Sequence, residues 1–147
     1  MKISIPLQLI DLHDDGVHIL VKVTVCNTQF NVVVDTGASK TVFDHHMLLQ
    51  AESPVEVVAT EKLSAGLGTT SMQSFTAIVP DFKIGKLYMT QFEAAVLDLS
   101  SINDAYSQLN HPQVLGVLGG DILMQYQAVI NYGRRKLYLT LPEKDSD

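Results

Sequence analysis

The sequence lacks a second cysteine, a surplus of positive charge and any long apolar run, and each absence excludes a class of protein. Cys26 stands alone, so the 147-residue chain has no internal disulfide framework and fits a reducing compartment. The formal net charge of -6 argues against nucleic acid as a general partner, because phosphate binding needs a basic face. No stretch approaches the ~18 apolar residues of a membrane span, so no membrane partner is expected.

The amino terminus is also unlike a secretory signal peptide. Ile3, Ile5, Leu7 and Leu9 alternate with polar or small residues, and Pro6 interrupts the stretch. A signal peptide would carry a continuous apolar run here. Together with the single cysteine, this pattern predicts a cytoplasmic protein.

Histidines at metal-binding spacing are absent as well. His45 and His46 are adjacent rather than four residues apart, so their side chains do not converge on one ion and are interpreted as solvated. His13, His18 and His111 lie in or near predicted turns and are interpreted in the same way. The sequence therefore predicts neither a metal nor a cofactor.

The residues that are present fit a single domain with a hydrophobic core. Hydrophobic residues make up 46% of the chain and charged residues 18%, which is an ordinary globular composition. No linker, repeat or low-complexity tract divides the chain. We therefore expect one domain over residues 1–142, followed by a loose polar tail over residues 143–147.

Most of the sequence has the alternating, β-branched pattern of strands. Residues 17–25 (VHILVKVTV) predict one strand between two turns. Residues 55–79 predict a long hairpin, whose tip places Gly66 and Gly68 around the lone apolar residue Leu67. Such a tip presents one apolar side chain outward.

The second half of the chain predicts further hairpins and little helix. Two hairpins are expected to turn near Gly85 and Gly133. The main helix signal is the segment SSINDAYSQL, in which Ser101 and Asp104 form a capping-box pattern. The overall prediction is an all-β domain with one or two short helices.

The segment NVVVDTGASKT (31–41) places a carboxylate directly after an apolar strand. A partly buried carboxylate is costly unless it is hydrogen-bonded or protonated. The amide of Gly37 can donate to Asp35, and the hydroxyl of Thr36 can lock the loop. Two such carboxylates sharing one proton can hydrolyse an amide, because the ionised one activates water while the neutral one protonates the carbonyl.

The chain contains one Asp-Thr-Gly turn and no Asp-Ser-Gly turn. A pair of carboxylates therefore requires a twofold axis, with Asp35 of one chain facing Asp35 of another. The expected partner is a second copy of the chain.

Three segments together resemble the retropepsin-like aspartic proteases. DTGASKTV (35–42) is similar to the catalytic loop of that family, AGLGTT (65–70) to its glycine-rich flap, and VLGGDIL (117–123) to the segment whose glycine packs beneath the catalytic loop. The carboxyl-terminal QAVINYGRRKLYLTL (127–141) resembles the cellular retropepsins of the DNA-damage-inducible type and their bacterial relatives.

The resemblance implies an acid-protease fold: a closed, barrel-like all-β domain with a flap hairpin, acting as a homodimer on extended peptide or protein substrates. It implies that Asp35 is the shared acid and base, that Thr36 anchors the pair across the twofold axis, and that Gly37 positions the pair or the substrate. The substrate-binding positions that it implies are Ala38, Ser39, Lys40, Gly66, Leu67 and Gly68.

The chain also departs from the family pattern. Gly120 stands where retroviral members often carry an interface arginine, and the SSINDAYSQLN helix is an insertion relative to compact members. Ala38 offers no hydroxyl to the ionised carboxylate, in contrast to the serine or threonine common in pepsin-like enzymes. We therefore expect a mildly acidic rather than strongly acidic optimum.

Two other interpretations remain at this point. The same groove and flap can hold an extended peptide by strand addition without cutting it, which would make the protein a catalytically inactive, dimeric peptide-binding module. A self-associating domain without a groove is the third interpretation.

Two further residues are not expected to be catalytic. Asp121 is interpreted as a structural hydrogen-bond partner or helix cap, and Cys26 has no histidine pattern that would make it a nucleophile.

Overall fold

The computed structural model describes residues 1–53, 55–60 and 74–142. In chain order its elements are β1 (Lys2–Pro6), β2 (Gln8–Asp11), a 3₁₀ turn (His13–Asp15), β3 (Val17–Val25), β4 (Thr28–Val34), β5 (Val42–Asp44), α1 (His45–Leu48), β6 (Glu56–Thr60), β7 (Ser74–Val79), β8 (Phe82–Ile84), β9 (Leu87–Met89), β10 (Phe92–Leu97), α2 (Ser100–Gln108), β11 (Gly116–Leu118), α3 (Gly120–Gln125), β12 (Val129–Asn131) and β13 (Lys136–Thr140). The all-β prediction with short helices is confirmed.

A large sheet forms the body of the domain. Its strand order is β6-β7-β10-β5-β11-β4-β3-β8-β9, and β2 pairs with β3 beside that path. Within the described residues the path is open between β6 and β9, so the sheet does not close on itself as the barrel-like expectation implied. Its longest antiparallel pair is β3 with β4, in register from Leu20↔Val33 to Val25↔Thr28.

The alternation of β3 and β4 places apolar side chains on both faces of this pair. One face contributes Val21, Val23 and Val32 to the main core, which also contains Phe43 and Phe82. On the other face, Leu20 belongs to a second and smaller cluster of five buried residues: Ile10, Leu12, Leu20, Tyr106 and Val114. Helix α2 therefore covers the face of the sheet that the main core does not use.

A three-stranded sheet, ordered β1-β13-β12, joins the two ends of the described chain. Strand β1 is antiparallel to β13, with Ile3 opposite Leu139 and Ile5 opposite Leu137. All four side chains are buried, so the alternation seen at the amino terminus faces the main core. The alternating stretch at the amino terminus forms two strands, because β1 pairs with β13 whereas β2 pairs with β3.

The predicted hairpins are present where the described residues cover them. Strand β3 has the predicted bounds, and Gly16 before it has a φ of 90°, which glycine adopts without strain. Strands β8 and β9 turn through Gly85, whose φ is 57°. Strands β6 and β7 are antiparallel as predicted, but the tip with Gly66, Leu67 and Gly68 lies outside the described residues. The predicted tail, 143–147, also lies outside them.

The capping-box prediction for α2 is wrong. Leu99 is the N-cap residue, no side chain caps it, and Ser101 lies inside the first turn. The entry to the helix is instead held by two carboxylates that precede it: Asp44 accepts a hydrogen bond from the Leu99 amide at 2.7 Å, and Asp98 accepts one from the Ser100 amide at 2.9 Å. Sequence spacing identified the helix but not the carboxylates that bind the amides at its start.

The interpretation of His18 as a solvated side chain is also wrong. His18 lies within β3, is half-buried, and its Nδ1 is 2.6 Å from the hydroxyl of Tyr106 on α2.

Within the described residues, no helix has the length and apolar character needed to cross a membrane.

Candidate active site

The loop of residues 35–41 connects two strands that flank the same central strand. Strand β4, before the loop, is parallel to β11, with Val34 opposite Leu118. Strand β5, after the loop, is antiparallel to β11, with Val42 opposite Val117. Because both ends of the loop are attached to β11, the loop is fixed at one end of the sheet, where β11 leads into α3.

Asp35 lies at the first position of this loop and is half-buried. Its backbone amide donates to the carbonyl oxygen of Leu118 at 3.0 Å, which continues the β4–β11 pairing up to the carboxylate residue. Its Oδ1 accepts a hydrogen bond from the Gly37 amide at 2.9 Å, and its carbonyl oxygen accepts one from the Ala38 amide at 3.2 Å. The predicted amide donor is therefore in place, and the carboxylate has a defined orientation.

The start of α3 packs directly beneath the loop. A Cβ atom on Gly119 would lie 2.5 Å from the carbonyl carbon and oxygen of Lys40 and 3.0 Å from the carbonyl oxygen of Ala38, so only glycine fits this position. The amide of Gly120 donates to the Ala38 carbonyl at 2.7 Å, and the amide of Asp121 donates to the Ser39 carbonyl at 3.1 Å. This contact confirms the packing that the resemblance implied for Gly119.

The loop is locked at its far end by Thr41 and Asp121. The Thr41 amide lies 3.0 and 3.1 Å from the two carboxylate oxygens of Asp121, and the Thr41 hydroxyl donates to Asp121 Oδ1 at 2.8 Å. The same hydroxyl accepts from the Gly119 amide at 3.1 Å. Thr41 is fully buried, so each of these polar groups relies on the others for its hydrogen bonds. Asp121 is therefore the structural partner that its sequence position suggested.

Thr36 does not lock the loop within this single chain, in contrast to the expectation from the sequence. Its side chain is exposed, and its hydroxyl makes no hydrogen bond to the residues that the structure describes. Thr41, five residues further on, carries out the locking. The hydroxyl of Thr36 thus remains available at the surface of the loop.

The remaining loop positions form an exposed edge beside Asp35. Gly37, Ser39 and Lys40 are exposed, whereas Ala38 is half-buried. The structure brings these residues together with Asp35 and Thr36. The flap positions Gly66, Leu67 and Gly68 lie outside the described residues.

Two residues that support the loop were not singled out from the sequence. Asp44, at the end of β5, is buried, caps α1 by accepting from the Met47 amide at 2.9 Å, and holds the Leu99 amide. Gly116 lies where β11 crosses β5, and a Cβ atom there would be 1.8 Å from the Val42 carbonyl oxygen. Gly116 could have been identified in the sequence as an isolated glycine within an apolar strand.

The cysteine and histidine side chains that could react or bind a metal lie outside the loop of residues 35–41. Cys26 is buried at the turn between β3 and β4, and burial raises the pKa of its thiol, which disfavours the reactive thiolate. His45 is exposed, and its ring stacks on Phe75 of β7 with centroids 6.3 Å apart. Among the residues that the structure describes, no three His, Cys, Asp or Glu side chains are arranged to hold a metal ion.

Comparison with solved structures identifies proteins of the same fold. A retropepsin-like aspartic protease from Rickettsia conorii superposes with a TM-score of 0.54 at 17% identity, covering 95% of this chain and 88% of that one. EIAV protease, complexed with the inhibitor HBY-793, gives a TM-score of 0.52 at 20% identity, with 76% of this chain and 90% of that one covered. The retroviral protease-like domain of Ddi1 from Leishmania major gives 0.51 at 16% identity, with 86% and 95% covered.

At such identities, these similarities establish the fold and not the activity. No curated protein matches the chain. The model of the family described as aspartyl protease matches residues 21–122, a span that includes the Asp35 loop, the Thr41–Asp121 lock and the Gly119 contact. The chain therefore belongs to the aspartyl protease family and has a retropepsin-like fold.

Proposed function

We propose that this protein is an aspartic endopeptidase, which hydrolyses peptide bonds through a water molecule activated by two Asp35 carboxylates, one from each subunit of a homodimer. The observation that carries the proposal is the construction of the Asp35 loop. Its carboxylate is oriented by the Gly37 amide, and its backbone is fixed by β11 and by the Thr41–Asp121 lock. Such fixed geometry is what allows a carboxylate pair to share one proton and act as acid and base together.

A second copy of the chain is needed because the sequence contains only one Asp-Thr-Gly turn. The edge strand β12 and the neighbouring α3 offer a surface for it. Within the part of the chain that the structure describes, only β13 pairs with β12. Exposed apolar side chains lie along this region: Met124 is 83% exposed, Val129 51% and Tyr132 60%. An unpaired strand edge beside exposed apolar groups favours association with an identical strand about a twofold axis.

The remaining site residues have proposed roles that follow from their positions. The exposed hydroxyl of Thr36 hydrogen-bonds across the twofold axis, and Gly37 positions the carboxylate pair.

The substrate is an extended peptide or protein segment with apolar residues around the cleaved bond, and Lys40 favours an acidic side chain in one subsite. The positions proposed to contact that segment are Ala38, Ser39 and Lys40 on the loop and Gly66, Leu67 and Gly68 on the flap. The enzyme is proposed to act in the cytoplasm, in keeping with its lone cysteine.

The test is peptidase activity against a mixed peptide library across pH, comparing the wild type with Asp35→Asn at matched concentration. We expect Asp35→Asn to lower the rate by about a thousandfold or more, because an amide cannot take a proton from water. Asp104→Asn, the same change at an exposed position of α2, is the matched control and should cleave normally.

Mixing the two proteins tests the shared pair directly. If each active site needs two Asp35 carboxylates, an excess of Asp35→Asn chains will capture wild-type chains in inactive heterodimers and reduce their activity. Wild-type activity that is unaffected by the mixture would exclude a site shared between subunits. Folded dimers that bind library peptides without cutting them would favour the inactive peptide-binding module instead.

A further inference from the structure

A cavity of about 430 Å³ lies on the domain away from the candidate active site. Its lining comes from the junction of β1 and β2, from β3, from the start of β4, and from the β8–β9 hairpin: Ile5, Pro6, Leu7, Gln8, Leu20, Val21, Lys22, Thr24, Gln29, Lys83 and Gly85. Gln29 precedes Asp35 by six residues on the strand that leads to it, which corresponds to ~20 Å along β4. The cavity is therefore separate from the proposed peptidase site.

The cavity exists because two strands share one edge of β3 without meeting. On this edge, β2 pairs with β3 up to Leu20, and β8 pairs with β3 from Thr24 onward. Residues 21–23 face the interval between them, whereas the opposite edge of β3 is paired with β4 throughout this region. At the β1–β2 junction the Leu7 amide donates to the Arg135 carbonyl oxygen rather than to β3, so the pairing along this edge is interrupted beside the cavity.

The lining of this cavity divides into an apolar part and a cationic rim. Ile5 and Leu7, both largely buried, supply the apolar part. Polar atoms come from Gln8, Thr24 and Gln29, and charge comes from Lys22 and Lys83. Among the residues that the structure describes, no aspartate or glutamate contributes to the lining, although the whole chain carries a net charge of -6.

The two lysines lie on the same face of neighbouring strands. Lys83 is opposite Thr24, and Lys22 is two residues from Thr24, so the lysines occupy diagonal positions roughly 7–8 Å apart. Lys83 Nζ is 5.3 Å from the centroid of the Tyr88 ring, its cross-strand neighbour, which orients the ammonium group. Within the described ranges, neither lysine forms an ion pair, so both charges are available to a ligand.

We infer that this cavity binds a small amphiphilic anion, with its carboxylate between Lys22 and Lys83 and its apolar body against Ile5 and Leu7. A carboxylate can accept charge-assisted hydrogen bonds from both ammonium groups and relieve their mutual repulsion. The volume falls within the range of small-molecule sites, and an apolar lining with a few convergent polar groups is typical of them. The inference is independent of peptidase activity, since the cavity and Asp35 share no residues.

The probe for this site is octanoate, added to the full chain and followed by chemical shifts in two-dimensional NMR spectra. We expect saturable shifts centred on the cavity residues, and binding at least about tenfold tighter than that of 1-octanol, which has the same apolar body without the charge. Lys22→Gln and Lys83→Gln should each weaken octanoate binding about tenfold.

Lys86→Gln is the matched control, because Lys86 is an exposed lysine of the same β8–β9 hairpin that does not line the cavity. It should leave octanoate binding unchanged. Equal binding of octanol and octanoate, wild-type binding by the Lys22→Gln/Lys83→Gln double variant, or shifts confined to other parts of the domain would each overturn the inference. Unchanged thermal midpoints of the variants will verify that they are folded.

Discussion

The loop of residues 35–41 and helix α2 are both attached to the central strands, but they are held by different kinds of interaction. The loop is held by polar atoms and close glycine contacts: Thr41 with Asp121, and Gly119 against Lys40. In helix α2, Tyr106 packs into an apolar cluster, and the buried side-chain amide of Asn103 hydrogen-bonds to the backbone of Val114. The loop therefore depends on hydrogen bonds and close backbone contacts, whereas α2 depends on the burial of apolar side chains in addition to its hydrogen bonds.

Gly116→Ala, beneath the loop, should destabilise the protein most. The new Cβ atom would lie 1.8 Å from the Val42 carbonyl oxygen and 2.9 Å from the Phe43 Cα atom, so β11 and β5 must separate. We expect a loss of about 3 kcal/mol or more in the free energy of unfolding, measured by denaturant titration.

Gly120→Ala is the control for this substitution. Its Cβ atom would lie 3.3 Å from the nearest atom, the Ala38 carbonyl oxygen, so the neighbour needs to move only slightly. We expect a change within about 1 kcal/mol. A Gly116→Ala protein as stable as Gly120→Ala would contradict the close crossing of β5 and β11.

The second substitution, Thr41→Val, keeps the shape of the side chain and removes its hydroxyl. The Gly119 amide loses its acceptor, and Asp121 Oδ1 loses one of its donors, beside the fully buried Thr41 side chain. We expect a loss of about 2–3 kcal/mol in the free energy of unfolding. If Asp35 is catalytic, kcat should fall as well, because the loop that carries it is no longer locked.

Thr140→Val provides the matched comparison on β13. Thr140 is half-buried, and its hydroxyl makes no hydrogen bond to the described residues. Its replacement should change both the unfolding free energy and kcat much less. If Thr41→Val instead behaves like Thr140→Val, the hydrogen bonds of the Thr41 hydroxyl do not stabilise the loop.

The third substitution, Asn103→Leu, tests the polar contact of α2. Asn103 is buried, its Nδ2 donates to the Val114 carbonyl at 3.1 Å, and its Oδ1 accepts from the Val114 amide at 2.7 Å. Leucine leaves both backbone groups unpaired, so we expect a loss of about 2 kcal/mol. In contrast to Thr41→Val, kcat of the folded protein should be unchanged, and a parallel fall in kcat would show that α2 also positions the loop.

Tyr106→Phe, which removes the hydroxyl that contacts His18, should destabilise the protein least. We expect a loss of about 1 kcal/mol at neutral pH. Burial raises the pKa of the Tyr106 hydroxyl in the folded protein, so the unfolded chain loses this proton first as the pH rises.

The contribution of Tyr106 is therefore complete below about pH 10 and is lost above it. Unfolding curves at increasing alkaline pH should show a steeper loss of stability for the wild type than for Tyr106→Phe. Equal slopes would mean that another group governs alkaline unfolding.

Local sequence patterns predicted the elements better than their partners. The alternation of VHILVKVTV gave β3 with its bounds, because strand periodicity is a local property. The same alternation at the amino terminus did not reveal that β1 pairs with β13 while β2 pairs with β3. The capping-box pattern of Ser101 and Asp104 failed because Asp44, 55 residues before Leu99, supplies a hydrogen bond there instead.

For the candidate site, Asp35-Thr36-Gly37 identified the loop, and the presence of one such turn led to the prediction of a second copy. The way in which the loop is held is visible only in the folded chain. Thr41 and Asp121 are separated by 80 residues, and they meet because β4 and β5 pair with opposite edges of β11. Local periodicity indicates which face of a strand is buried, but its partner depends on non-local packing and on backbone groups that must find hydrogen bonds elsewhere in the chain.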